Sequence, residues 1–429
     1  MPIRLALIGC GRISRRHVLA MKDLQERGRG DFVVCAVCDA NEQAASERAD
    51  MLEELLGERP TVYSTHQELL AESQVDAADL CLPHGLHHGI AVDCMEAGLH
   101  VLCEKPLGIT IKACRLMIDA AERTGRVLST AAPHRRQPGQ RTAKWILDES
   151  GLLGTPLSFF HQLRSSAVLA GAPGQASSQP NPSQLWGQQP AGSSEPLPEH
   201  KRWRRDRLMS GGGPVLDSGF HYCDTLRYFF GEVDRVYAVL RSMKSGAPEP
   251  MGDAPEDTAF ITFTFKNGVT GSWSWSFAAP GEEAYDVTFY GSRGSLRDTT
   301  AGPFSIFHLF ERTPKRLETA RLECSDGSVY NMKEMEAMHR TSLSKKEEDF
   351  LYPGGATDGF SIEIWEFLEI LRGNRPAPEI DGWEGMRSLA LGDAIYESGL
   401  TGEVISVDDI LSGRRSAFQD PIDEHWSLS

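Results

Sequence analysis

No stretch of this chain approaches the roughly 18 consecutive apolar residues that a membrane-spanning helix needs. The apolar run in the opening MPIRLALIGCG is also too short for a secretory signal and ends in a glycine turn. The sequence therefore predicts a cytoplasmic protein with no membrane partner. Positive charge is not in excess either. The net charge is −16 over 429 residues, which argues against a nucleic-acid partner, because that function needs a basic footprint. A disulfide framework is missing as well: the cysteines number nine, an odd count, and seven fall within the first 114 residues. Cys35 and Cys38 form a C-x-x-C on a strand-like stretch, where positions three apart point to opposite faces. That geometry argues against a zinc or redox pair, so reduced thiols are expected. No internal repeat stands out.

What is present is an ordinary globular composition, 40% hydrophobic and 24% charged. The length predicts two domains. Over residues 1–130, strand and helix patterns alternate. IRLALIG, FVVCAVCD, DAADLCLP, HVLCE and RVLST read as strands buried on both faces, and amphipathic helices separate them. Thr110 and Gly125 bracket one of these helices as cap and stop. Such alternation predicts an α/β fold with a doubly wound parallel sheet. Residues 131–429 read differently. They predict an α+β domain with a largely antiparallel open sheet, a hairpin turn at Asn267-Gly268, and helices that include one over 214–230. Residues 165–200, rich in Pro, Gln and Ser, read as an insertion loop.

Three motifs carry chemistry. Gly9-Cys10-Gly11-Arg12-Ile13-Ser14 follows the first strand and opens the first helix. A glycine turn there lets backbone approach a pyrophosphate, and the helix N-terminus favours the negative charge. Ser14 stands where Gly or Ala is usual. Asp39 ends the second strand, where a carboxylate accepts ribose hydroxyls and repels a 2′-phosphate, favouring NAD over NADP. Lys105, in VLCEKPLG, lies at the carboxyl end of a parallel strand, beside Glu104 and before Pro106. A cationic side chain there can bind a substrate hydroxyl and ease its loss of a proton. In SGGGPVLDSGFHYCDTLRYFFG, Asp217 and His221 fall four apart, on one face of the expected helix, with Asp224 and Tyr228 continuing the stripe. His221 suits a general base near neutral pH. The cluster His84, His87 and His88 lacks a carboxylate or cysteine at zinc-like spacing, so no metal site is expected. The basic run Lys201, Arg202, Arg204, Arg205 and Arg207 is expected to meet an acidic group on the substrate or on a neighbouring subunit.

In sequence order, ALIGCGRISRRH, LPHGLHHGIAVDCMEAGLHVLCEKPLG, GGGPVLDSGFHYCD and LALGDAIYESGLTGEVISV resemble the motifs of the Gfo/Idh/MocA oxidoreductases. The resemblance implies a Rossmann domain followed by an open-sheet α/β domain, a nicotinamide cofactor, and a sugar, sugar derivative or cyclitol as substrate. It implies catalytic roles for Lys105, Asp217 and His221, with Arg135 of PHRRQP near the substrate. The cofactor-binding set it implies is Gly9, Gly11, Arg12, Ile13, Asp39, Pro83, His84, His87, Glu104 and Lys105. His84 departs from the family asparagine. A homo-oligomer, dimer or tetramer, is expected. Two further readings stay open: a redox-neutral sugar-modifying enzyme that retains its NAD, and a dinucleotide-binding regulator without turnover.

Overall fold

The computed structural model describes residues 2–164, 202–243, 249–250, 255–279, 284–299 and 320–429. The expected insertion at 165–200, and Lys201, lie outside the described residues. The chain divides into two compact units. One comprises 1–137, 343–387 and 428–429, and the other 138–342 and 388–427. The sequence reading places everything after residue 130 in the second domain, whereas this division puts 131–137, 343–387 and 428–429 in the first.

In the first unit, β1 (Ile3–Ile8), β2 (Phe32–Cys38), β3 (Thr61–Tyr63), β4 (Ala77–Leu80), β5 (His100–Glu104) and β6 (Leu128–Ala131) form one parallel sheet in the order β3-β2-β1-β4-β5-β6. Helices α1 (Ser14–Glu26), α2 (Glu42–Leu56), α3 (His66–Glu72), α4 (His87–Glu96) and α5 (Ile111–Thr124) connect the strands. The central strands are largely apolar because both faces are covered, with Asp79 on β4 and Glu104 on β5 as buried charged exceptions. Thr110 accepts from the Ala113 amide to start α5, and Gly125, at φ 67°, ends it. Strand order reverses beside β1, which places the ligand crevice of such sheets outside the carboxyl ends of β1 and β4.

Segment 343–387 joins this unit through buried charge and backbone. In the helix Gly359–Leu371, Glu363 and Glu366 are buried although the surrounding positions are apolar. Arg136, itself fully buried, donates to Glu366 Oε2 from Nε at 2.9 Å and from Nη2 at 2.5 Å. Arg375 donates to the other Glu366 oxygen at 3.0 Å. The Thr130 amide donates to the Ile380 carbonyl at 2.9 Å, so β6 continues into this segment. An arginine buried this way is tolerated because its charge is answered.

The second unit holds a ten-stranded sheet. Its strands are β7 (Pro156–Arg164), β8 (Val233–Ser242), β9 (Glu249–Pro250), β10 (Thr258–Phe265), β11 (Thr270–Ser276), β12 (Ala284–Gly291), β13 (Gly294–Asp298), β14 (Arg321–Cys324), β15 (Val329–Asn331) and β16 (Ile405–Ser406). Every pairing among the described residues is antiparallel except β7 with β11. Gly268, at φ 90°, turns the β10–β11 hairpin as its Asn-Gly pair foretells. The helix Gly219–Phe230 covers one face, with Phe230 stacked on Phe159 at 5.2 Å and edge-on to Phe289 at 5.1 Å. Gly271 leaves the room that the Phe159 ring occupies: a Cβ there would lie 2.1 Å from it.

Arg136→Ala strands Glu366 in the interior with half its countercharge gone. It should cost about 3–5 kcal/mol in chemical denaturation. A loss below about 1 kcal/mol would show that 343–387 is not anchored by this pair.

Candidate active site

The cofactor side is built at the end of β1. Gly9 takes φ 96°, and a Cβ there would lie 2.3 Å from the Cys81 carbonyl oxygen, so only glycine fits. At Gly11 a Cβ would meet nothing within 4 Å. That open space, above the N-terminus of a 13-residue helix that no side chain caps, suits a pyrophosphate. Ser14 is fully buried and its hydroxyl donates to the Gly11 carbonyl at 2.7 Å. The departure from Gly or Ala therefore adds a tie inside the turn. Arg12 is exposed and Ile13 half-buried at the start of α1.

Asp39 reaches back to this turn. Its Oδ2 accepts from the Cys10 amide at 2.7 Å and its Oδ1 from the Asn41 amide at 2.8 Å. Each oxygen keeps a further lone pair for a ribose hydroxyl. Arg48 of α2 donates to the Cys10 and Gly11 carbonyls at 3.3 and 3.1 Å. The tie of Arg48 to the turn is not legible in the sequence, because it depends on how α2 folds back beside it. These residues together fit a dinucleotide.

Around the ends of β4 and β5 the side chains are mostly buried. Pro83 is half-buried, and His84 is buried in the short turn His84–Leu86, 5.9 Å ring to ring from His87. His87 is fully buried, with Nδ1 2.9 Å from the Pro106 carbonyl and Nε2 3.0 Å from the Leu82 carbonyl. Burial pushes its pKa below the ordinary histidine value. Its two ring nitrogens, each facing a backbone carbonyl, brace the turn after Lys105. Glu104 is buried, and its Oε2 accepts from the Lys105 amide at 2.9 Å. Lys105 is half-buried, and its bond to Pro106 is cis. Arg135 lies in the turn Pro133–Arg136 and donates to Glu384 at 3.1 Å.

His17, which the sequence reading passed over, sits behind this group. It is fully buried, with Nδ1 2.8 Å from Asp79 Oδ2 and Nε2 3.1 Å from Glu104 Oε1. Burial is the largest single effect and opposes charging it, but the Asp79 charge and hydrogen bond together with Cys81 outweigh it and hold its pKa well above the ordinary value. His17, Asp79 and Cys81 place donor atoms close enough for a metal ion. Both imidazole nitrogens already face carboxylates, however, and burial pushes the Cys81 thiol up to about 12. The chemistry is that of a buried imidazolium.

The other predicted residues belong to the second unit. The helix begins at Gly219, not at 214, because residues 214–218 form turns and Asp217 precedes the first helical residue. The Asp217 amide nevertheless donates to the Gly213 carbonyl at 3.0 Å, so the approach is wound like a helical turn. His221 is buried on the first turn of the helix. Arg204 donates from Nε to Asp217 Oδ2 at 3.1 Å. Part of the basic run thus meets an acid of its own chain. Asp224 is fully buried and accepts from Ser388 Oγ at 2.9 Å.

The glycine-rich lead-in is fixed by a network between residues far apart in sequence. The Val215 amide donates to Glu256 Oε1 at 2.7 Å, the Tyr396 hydroxyl donates to the same oxygen at 2.9 Å, and the Gly213 amide donates to that hydroxyl at 2.6 Å. A Cβ at Gly212 would lie 2.7 Å from the Tyr396 ring.

Comparison with known proteins places these features in a family. Residues 3–132 match the model of the Gfo/Idh/MocA oxidoreductase family's NAD-binding Rossmann fold, and residues 191–407 that of its C-terminal alpha/beta domain. The chain is 29% identical over 298 residues to D-apiose dehydrogenase of Paraburkholderia graminis, covering 68% of this chain and 66% of that protein, just under two thirds. It is 26% identical over 378 residues to D-xylose 1-dehydrogenase (NADP(+)) 2 of Haloferax volcanii, covering 87% and 91%. Among solved structures it resembles in fold the WlbA dehydrogenase of Bordetella pertussis in complex with NADH and UDP-GlcNAcA. That likeness has a TM-score of 0.66 and 23% identity, over 94% of this chain and 97% of the other.

Burial pushes the Glu256 carboxyl up to about 7 from an ordinary 4.5. The folded protein therefore keeps a proton that the unfolded chain releases. The stability this contributes is full below the unfolded value and is lost as pH rises through the folded one. Glu256→Gln keeps the neutral form, so its melting temperature relative to the parent should climb between about pH 5 and pH 8. A constant difference across that range would contradict the assignment.

Proposed function

This chain belongs to the Gfo/Idh/MocA oxidoreductase family, and from that premise we propose that it is a dehydrogenase of a sugar, sugar derivative or cyclitol. The observation that carries the reading is the first unit's crevice, with its glycine turn and open Gly11 at one strand end and Lys105 at another. Gly9, Gly11, Ile13 and the α1 N-terminus would hold the pyrophosphate, and Asp39 the adenosine ribose. Arg12, Pro83, His84 and Glu104 would complete the cofactor wall, with His87 supporting it from below. NAD is favoured over NADP because the Asp39 carboxylate would repel a 2′-phosphate.

The bound nicotinamide supplies a hydride acceptor. The protein's part is to bind, orient and move a proton. Lys105 donates a hydrogen bond to the substrate hydroxyl and, as a cation, favours its ionisation. His221 takes the hydroxyl proton while the two electrons of the adjacent C–H bond leave as hydride. Asp217 positions His221 or a second hydroxyl, with Arg204 holding its carboxylate, and Arg135 contacts the substrate. Lys105 belongs to the first unit and His221 to the second.

A homo-oligomer, dimer or tetramer, is part of the proposal. Phe160, Phe260, Tyr290 and Tyr237 leave the second sheet with large exposed side chains. The absence of any helix long and apolar enough to cross a membrane among the described residues agrees with a small-molecule substrate met in solution.

Lys105→Ala should lower turnover with a responsive sugar or cyclitol by roughly 100-fold or more, the scale of a lost acid–base contribution. NAD affinity, read by calorimetry, should remain. Parental turnover in this variant would remove Lys105 from the chemistry.

A further inference from the structure

We propose that His17 is a positioning residue for turnover, acting through Glu104 on the backbone of Lys105. The inference rests on the assignment of Lys105 to the substrate hydroxyl.

Strand β5 ends at Glu104, which pairs with Ala131 as the last rung toward β6. The next residue, Lys105, still has an amide hydrogen, and Pro106 after it has none to offer. An amide beyond the ladder needs an acceptor, and the Glu104 side chain provides it through Oε2. The orientation of the lysine's backbone therefore depends on one carboxylate rotamer.

That rotamer is set by His17. Glu104 Oε1 faces Nε2, and Asp79 Oδ2 faces Nδ1 on the other side of the same ring. Both partners are acceptors, so satisfying them requires a hydrogen on each nitrogen, which is the imidazolium. One cation answers two buried carboxylates on different strands. Glu363 also faces this group and is buried. Its Oε2 lies 3.6 Å from Arg136 Nη1, and burial, opposed by Arg136, raises its pKa above the ordinary value. The Phe360 ring packs edge-on against the imidazole at 5.6 Å and keeps it in place. Without His17, Asp79 and Glu104 would be two buried acids with no cation between them. One would take a proton or turn away, and the Lys105 amide would lose its fixed acceptor.

His17 also lies on α1, one turn beyond the glycine motif. The helix that receives the pyrophosphate is thus tied to the strand that presents the lysine. His87 braces the same turn at the Pro106 carbonyl, but both its ring nitrogens face backbone, whereas His17 ties directly to the Glu104 carboxylate.

The test separates the two arms of the ring in the full-length protein. Gln at position 17 can keep a donor near the Nε2 position, toward Glu104, whereas Asn keeps one near Nδ1, toward Asp79. His17→Asn should lower kcat roughly 10- to 100-fold, the scale of a displaced catalytic group. NAD affinity and substrate KM should stay within about threefold. His17→Gln should recover most of the loss. Equal kcat in both variants, or parental kcat in His17→Asn, would overturn the proposal. Should His17→Asn fail to fold, Glu104→Gln decides. Its amide cannot accept from both the ring and Lys105, so kcat measured at saturating NAD should fall, and unchanged kcat would overturn it. Lys105→Ala at parental turnover would instead overturn the underlying assignment of the lysine, whatever the His17 variants do.

Discussion

The turn at Gly9 is the constraint from which the first unit's site follows. The chain leaves β1 directly beneath the Cys81 carbonyl, with no room for a side-chain carbon. Because the backbone passes so close, the next residues emerge over the crevice, and Gly11 faces open space. Three further groups hold the turn: Asp39 accepts from the Cys10 amide, Ser14 donates to the Gly11 carbonyl, and Arg48 donates to both carbonyls. The ends of β1, β2 and β4 and the middle of α2 are thereby tied to a few residues of loop. Preorganised amides at a helix start gain their value from not having to rearrange when an anion arrives.

Both units solve the same problem of buried charge next to functional backbone. In the first, His17 stands between Asp79 and Glu104, and Arg136 with Arg375 answers Glu366. In the second, burial raises the Glu256 pKa to about 7, which suppresses its charge, and one of its oxygens accepts from the Val215 amide and the Tyr396 hydroxyl. Paired charge and suppressed charge are the two inexpensive ways to bury a carboxylate. Glu104 thereby fixes backbone at Lys105, and Glu256 fixes it just before Asp217.

Much of this was legible in the sequence where the signal is local. Strand and helix alternation, the glycine turn, the Thr110 and Gly125 caps and the Asn-Gly hairpin all lie within a few residues of their effects. Edge strand β3 and helix α3 escaped because TVY is three residues long and half-exposed, too short for a period to show. The helix start at Gly219 was misplaced because Pro214 suits a first turn, while the chain instead winds through turns across 214–218. The allocation of 343–387, the roles of Arg136 and His17, and the Glu256–Tyr396 network were illegible for another reason. Their partners lie tens to hundreds of residues away, and nothing in a lone buried histidine or glutamate names the group that will face it. Asp217 shows both sides: its presence was read from the motif, its partner Arg204 was not.

The central claim is that the Gly9–Gly11 turn receives a nicotinamide dinucleotide, and calorimetric titration of the full-length protein with NAD and NADP, alongside Gly11→Val, tests it most directly. The account predicts that the parent binds NAD more tightly than NADP. It also predicts that filling the open space at Gly11 abolishes the binding while leaving thermal stability unchanged, since a side chain there meets no other part of the protein. Undiminished NAD binding by Gly11→Val, or no binding of either dinucleotide by a parent confirmed free of retained nucleotide, would contradict it.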